Sequence, residues 1–161
     1  MARPINKSQA AFLLLDYQNM VIKRANASES FVTNAARTIA TGRENGLPVV
    51  HCRSAFQGSE FADVPSTNLK TRVGHFLASP STSMHTDLQD KGINTLIIGG
   101  LVTQGAVLTT VREAADLDYC IYVVEDMCLD FDAEVHRVLM EKVFPRQAYV
   151  IKSEDLDGLL K

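Results

Sequence analysis

The sequence is short of cysteine, of long apolar runs and of excess positive charge, and each shortage argues against a class of protein. Its 161 residues hold three cysteines, Cys52, Cys120 and Cys128. An odd number without metal-type spacing argues against a disulfide framework or a zinc site. It points to a reducing compartment, so the expected location is cytoplasmic. No apolar run approaches the roughly 18 residues of a membrane helix. The opening stretch Met1-Ala2-Arg3-Pro4-Ile5-Asn6-Lys7 lacks an apolar segment of signal-peptide length. Sixteen Lys and Arg against nineteen Asp and Glu leave a formal net charge of −3, which offers nucleic acid no basic footprint. Disorder is also disfavoured, because 46% hydrophobic and 22% charged residues are ordinary globular proportions. The expectation is one domain over residues 1–161, with a small-molecule substrate, no cofactor or metal, and neither nucleic acid nor membrane as partner.

Strand and helix patterns alternate, with no repeat or linker. Ala10-Ala11-Phe12-Leu13-Leu14-Leu15 is a continuous apolar run closed by Asp16, as in a strand buried on both faces. Ser28 is placed to cap a helix carrying Phe31, Val32, Ala35, Ala36, Ile39 and Ala40 at helical spacing, closed by Gly46. Leu47 to Cys52 reads as the next strand. From Arg53 to Gln89 no strand is evident. A helical piece is expected near residues 68–78, in a stretch long enough to suggest function. Ile93 to Ile98 is a strand ending at Gly99-Gly100, and Thr103 is placed to cap a helix running to about Leu117. Cys120 to Val124 is a strand ending in Glu125-Asp126, and Asp132 can cap a helix stopped before Pro145. Ala148 to Ile151 is a last strand, and Ser153 starts a short closing helix. This order predicts an α/β fold: a doubly wound, mostly parallel sheet with helices on both faces.

Ligands in such sheets bind beyond the carboxyl ends of the strands, near the topological switch. That rule selects Asp16 to Asn19 with Gln18, Cys52 and Arg53, Gly100 to Ala106, and Asp126 to Asp130. Asp16 is either a turn-capping carboxylate or a general acid or base shifted by its apolar surroundings. The glycine-containing turn Gly99 to Ala106 either only permits a tight bend or offers helix N-terminal amides to a carboxylate or oxyanion. It holds neither Ser nor Cys, so it is no nucleophile elbow. Cys52 and Cys128 lie near the same edge; small buried cysteine is the commoner role, and a relocated nucleophile is the alternative. His75 and His85 fall in or beside the irregular segment, where they could line a pocket, whereas His136 reads as a partly exposed helix residue. Arg53 and Arg72 are either surface arginines or anion binders.

Taken together the motifs resemble the isochorismatase-like hydrolase superfamily, also called the cysteine hydrolases. Asp16-Tyr17-Gln18-Asn19 after its apolar strand is similar to the family's Asp-x-Gln start. Gly92-Ile93-Asn94-Thr95-Leu96-Ile97-Ile98-Gly99-Gly100-Leu101-Val102-Thr103 resembles its Gly-Ile-x-x-Leu-x-x-x-Gly-x-x-Thr signature. Thr109, Ala114-Ala115 and Val123-Val124-Glu125-Asp126 follow at family spacing. Val111 to Pro145 resembles one bacterial and fungal subgroup. The resemblance covers most of the chain. It implies a Rossmann-like three-layer sandwich and a non-proline cis peptide, mapped here to Val102-Thr103.

The resemblance also implies an active site of Asp, Lys and Cys. Asp16 matches the aspartate. The cysteine position falls on Ala106, which cannot be a nucleophile. The lysine either corresponds to Lys70, followed by an insertion, or belongs to a strand deleted here, and the short chain favours the deletion. Loss of the nucleophile in a serine protease costs about 10⁶ in kcat, so an ordinary cysteine amidase is not expected. Some family members hydrolyse a vinyl ether without cysteine, the aspartate acting as acid. The expected function is therefore isochorismatase-like hydrolysis of a small anionic metabolite by Asp16 acid/base chemistry. Gln18, Arg53, Arg72, His75, Val102, Thr103, Gln104, Gly105 and Ala106 are the expected substrate-binding residues. The alternative is a catalytically inactive relative that binds a metabolite or serves as an assembly subunit. The family's habit of assembling predicts a homo-oligomer, dimer or tetramer.

Overall fold

Five apolar segments become the five strands of one parallel sheet. The computed structural model describes residues 2–53 and 83–161. Its strands are β1 (Ala10–Leu15), β2 (Val49–Cys52), β3 (Thr95–Leu101), β4 (Cys120–Leu129) and β5 (Tyr149–Ile151). They lie in the order β2-β1-β3-β4-β5, and every neighbouring pair is parallel. Parallel strands need crossovers, and these are the helices α1 (Asn19–Arg24), α2 (Glu29–Glu44), α3 (Met84–Asp90), α4 (Leu108–Asp116) and α5 (Ala133–Val138), with α6 (Leu156–Leu159) at the end. The expected doubly wound α/β fold is therefore present. None of the described helices is long and apolar enough to cross a membrane.

Alternating residues of each strand feed two cores, because successive side chains point to opposite faces. Ala11, Leu13 and Leu15 join Leu96, Ile98, Ile121 and Val123 beneath Val107, Val111, Ala114, Leu139 and Phe144. Ala10, Phe12 and Leu14 join Ile97, Tyr122 and Val124 against Ala35, Leu156, Ile5 and Leu160 on the other face. The second core is closed by the chain's two ends. Ile5 pairs in parallel with Leu160, its amide donating to Leu159 O at 2.7 Å and its carbonyl accepting from Lys161 N at 2.9 Å.

Local signals set several boundaries as expected. Ser28 caps α2, its hydroxyl accepting from Phe31 N at 3.1 Å. Asp132 caps α5, accepting from Glu134 N at 2.8 Å and Val135 N at 3.2 Å. Three expectations need correction. Thr103 does not cap α4: Val102 is the capping residue of a π-helical turn, Thr103–Val107, that leads into it. The strand expected to end at Glu125-Asp126 continues to Leu129, because β4 bulges against β3. Ile98 pairs with Val123, but Gly100 pairs with Cys128. The cis peptide is Leu101–Val102, one residue before the expected position. The helix expected near 68–78, Lys70 and the choice between an inserted and a deleted lysine strand lie outside the described residues.

The β1–β3 contact is where the sheet is tightest. A Cβ on Gly100 would lie 2.6 Å from Leu15 Cβ and 2.9 Å from Leu15 O. Real Cβ atoms do not approach so closely, and the Leu15 backbone cannot swing aside as a side-chain tip could. Gly100→Ala is therefore expected to destabilise the fold by about 1–3 kcal/mol or more, the range for overpacking a close-packed core. A urea titration checks this; an unchanged midpoint would contradict the register.

Candidate active site at the carboxyl edge of the sheet

Strand order decides which residues meet. Connections from β1 lead to β2 on one side, whereas β3 lies on β1's other side, so the switch point falls between the carboxyl ends of β1 and β3. Leu15 is paired with both Cys52 and Gly100. Asp16 follows directly. Its backbone has φ of +52°, a left-handed conformation that Asp and Asn adopt more readily than most residues. Its amide donates to Cys52 O at 2.8 Å and its carbonyl accepts from Gln18 N at 2.7 Å. The residue is buried, at 6% exposure. A strand with no polar side chain thus ends in a buried carboxyl at the switch.

Tyr17 continues from Asp16 and anchors it from the other direction. The Tyr17 hydroxyl donates to Met127 O inside the β4 bulge, and its ring stacks on Phe31 of α2 at 6.2 Å. Burial, then the charges of Cys128 and Asp126, hold the phenol well above its ordinary pKa. The bulge is itself pinned. Ser153 reaches Asp126 with its amide at 2.8 Å and its hydroxyl at 2.5 Å, and Asn34 Nδ2 donates to Asp126 Oδ2 at 3.0 Å. Burial raises the Asp126 carboxyl, but these donors outweigh it and the net pKa is lowered.

Beyond β3, the turn expected to present free amides spends part of them internally. Gln104 N donates to Asp130 Oδ2 at 2.6 Å, and Gln104 Nε2 donates to Asp130 Oδ1 at 2.7 Å. Gly105 N donates to Val102 O at 3.0 Å. Thr103 is fully buried, and its Oγ1 lies 2.8 Å from His136 Nδ1. Two consecutive residues of the turn are thus fastened to the segment after β4. Ala106 is buried in the first core.

The remaining expected residues divide. Gln18 is half-buried beside Asp16, and Arg53 is exposed at the end of β2. Arg72 and His75 lie outside the described residues. His85 is drawn away, its Nδ1 lying 3.0 Å from the hydroxyl of Tyr119, which precedes the amino end of β4. His136 is a partly exposed residue of α5, as expected, and it also meets the turn through Thr103. Asp130 belongs to the strand end that the carboxyl-edge rule selects, but no sequence spacing marks its grip on Gln104.

Neither edge cysteine is activated. Burial, reinforced by the Asp16 charge, pushes the Cys52 thiol up to about 12. Burial also pushes Cys128 up to about 12. The thiolate, not the thiol, is the nucleophile, so the relocated-nucleophile alternative loses its support. Among the described residues, no group of three or more His, Cys, Asp and Glu is arranged to hold a metal ion.

A family model for the isochorismatase domain matches residues 10–155. Among solved structures, an isochorismatase family protein from Burkholderia thailandensis superposes with a TM-score of 0.80 at 18% identity, covering 98% of each chain. The YcaC gene product of Escherichia coli, an octameric hydrolase of unknown specificity, gives a TM-score of 0.78 at 20% identity, over 99% of this chain and 83% of that one. A probable inactive nicotinamidase of Arabidopsis thaliana, At3g16190, is 26% identical over 78% of this chain and 83% of its own length.

Burial lowers the His136 pKa below its usual 6.5, although Glu125 and Asp130 pull it upward. The unfolded chain therefore takes up this proton first. The associated stability is present above about 6.5 and is lost as pH falls toward the folded-state value. A thermal melt is expected to move downward between pH 7 and pH 5, and His136→Gln should flatten that slope. The Asp126 contribution is lost at lower pH, below the ordinary carboxylate range. An identical slope in the variant would remove His136 as the cause.

Proposed function

Because this chain belongs to the isochorismatase family, we propose that it is a cytoplasmic hydrolase of a small anionic metabolite that uses Asp16 for acid/base chemistry without a cysteine nucleophile. The observation that carries this reading is the buried Asp16 carboxyl at the switch point, beside the Val102–Ala106 turn. By the resemblance of the turn after β3, Ala106 stands where the family has its cysteine, so the proposed mechanism uses no thiolate. Acid/base chemistry of this kind asks for one positioned carboxyl and no thiolate.

The reaction that suits one carboxyl is hydrolysis of a vinyl ether. The Asp16 carboxyl protonates the alkene carbon, and the electron pair of the ether oxygen stabilises the resulting cation. Water adds to the cationic carbon and returns one proton to the Asp16 carboxylate. The hemiketal then collapses to a carbonyl compound and an alcohol. Gln18 and the accessible turn residues Val102, Gln104 and Gly105 border the substrate, the buried Thr103 and Ala106 hold that turn in place, and Arg53 supplies positive charge from the end of β2.

A second reading is favoured by one observation. Asp130 already takes the Gln104 amide and side chain, which leaves fewer donors for a substrate. With the likeness to a probable inactive nicotinamidase, this supports a relative that binds a metabolite without turning it over. We also propose a homo-oligomer, dimer or tetramer, on the strength of the octameric YcaC neighbour.

Turnover of a panel of small carboxylated vinyl ethers and amides tests the first reading. Asp16→Asn is expected to lower kcat by about 10²–10⁴-fold, the usual contribution of a positioned acid/base. The melting temperature should hold, because Asn accepts the left-handed backbone. Full activity in the variant overturns the role of Asp16. Binding of a panel member without turnover by the wild type favours the second reading. Sedimentation at micromolar concentration should give a multiple of 17.7 kDa; a strict monomer counts against assembly.

A further inference from the structure

Helix α2 packs on the sheet through one face and shows the other to solvent. Ala35, Thr38 and Gly42 are its buried residues. A Cβ on Gly42 would stand 2.4 Å from the Phe12 ring of β1, and this close approach fixes the rotation of the helix. The outward side carries Glu29, Val32, Ala36, Ala40 and Arg43, all exposed. At 3.6 residues per turn these fall within about a quarter of the helix circumference. An acid stands at one end of the stripe and a base at the other. Neither Glu29 nor Arg43 makes an ion pair among the described residues. Both charges suit the helix dipole, but the dipole does not account for the apolar Val32, Ala36 and Ala40 left in water between them. Val32 is a large apolar side chain at 40% exposure.

The stripe is complementary to itself. Its spacings are three, four, four and three residues, the same read from either end. Turned about a two-fold axis at Ala36, it lies antiparallel on its own copy. Ala36 then meets Ala36, Val32 meets Ala40, and Glu29 meets Arg43, and the symmetry makes each unlike pairing twice. Spacings of three and four are those of the seam between two nearly antiparallel helices, and alanine at the axis admits the short end of the packing range, about 8 Å. The other charges do not oppose this register. Arg37 is engaged at the side of the helix, where its guanidinium donates to Asn34 Oδ1 at 2.9 Å. Glu44 falls opposite Ser28, not opposite an acid. We propose that the outward face of α2 is an interface with a second copy of this chain, docked antiparallel about Ala36 with Glu29 of each copy against Arg43 of the other. A second copy suits this face because one surface supplies both halves of the charge pattern. A single helix pair falls short of the area of most stable interfaces, so the ion pairs at its ends weigh heavily and salt weakens the contact.

The inference deepens the proposed assembly by naming a surface for it, and it rests on that reading. Sedimentation of the full chain over a range of concentrations, at low and at high salt, provides the test. The wild type should associate, and its dissociation constant should rise with salt. Glu29→Arg and Arg43→Glu should each raise the low-salt dissociation constant at least about tenfold, because each replaces two attractions with two repulsions. The double variant restores unlike charges at both ends and should return to within about threefold of the wild type, the signature of a direct pairing. Ala36→Glu sets two carboxylates face to face on the axis and should weaken association at least as much as either reversal. Its circular dichroism should match the wild type, since the position is exposed and Glu is a good helix former. Single variants that the double variant does not rescue overturn the proposed register. An oligomer that none of these variants disturbs overturns the α2 face while leaving assembly through another surface intact. A monomeric wild type leaves the face to a different partner and overturns the proposal. Turnover enters none of these measurements, so the hydrolase reading stands or falls separately.

Discussion

A carboxyl group buried at the end of an apolar strand constrains everything around it. Ala10 to Leu15 are buried on both faces, so Asp16 is the first group of β1 that needs polar company. Burying such a group without partners is costly. The surrounding structure is built to hold it: its backbone is tied to Cys52 and Gln18, and Tyr17 locks the next residue to β4. The left-handed backbone turns the chain off the sheet at the same point. The same few residues therefore end the strand, start α1 and set the position of the candidate acid.

The neighbouring strand adapts to this arrangement by giving up side chains. Gly99 faces Met127 and the Tyr17 hydroxyl, and Gly100 faces Leu15. Glycine here answers close approach rather than a positive φ. The β4 bulge answers the same crowding from the other side, since it brings Met127 within reach of Tyr17 and moves Asp130 to the turn after β3. Close packing at β1–β3 and polar fastening at β3–β4 together fix the edge in one geometry.

What was legible in the sequence was local or periodic. Five strands followed from short apolar runs, and Ser28 and Asp132 announced their helices because a cap is read within four residues. Asp16 and the β3 turn could be placed at the carboxyl edge because that rule needs only the order of elements. The Thr103–His136 and Gln104–Asp130 contacts were not legible, since they join residues 33 and 26 positions apart. Thr103 has the right chemistry for a helix cap, and only the tertiary presence of His136 diverts its hydroxyl. The run Val123-Val124-Glu125-Asp126 looks like a strand end because charges follow apolar residues. Asp126 is tolerated within β4 because Ser153 and Asn34 arrive from distant segments. Short α1 carries too little apolar periodicity to be noticed.

The parallel pairing of Ile5 with Leu160 has a consequence for how the molecule comes into being. The core face formed by Phe12, Leu14 and Ile97 is completed by Leu156 and Leu160, which are synthesised long after the strands they cover. While the chain emerges from the ribosome, the opposite core can close as soon as Phe144 is available. The second face, covered in part by Ala35 of α2, is completed only when residue 160 has cleared the exit tunnel. Order of synthesis thus leaves the apolar positions under Leu156 and Leu160 as the last to be covered, the condition in which chaperone binding or misassembly has its opportunity.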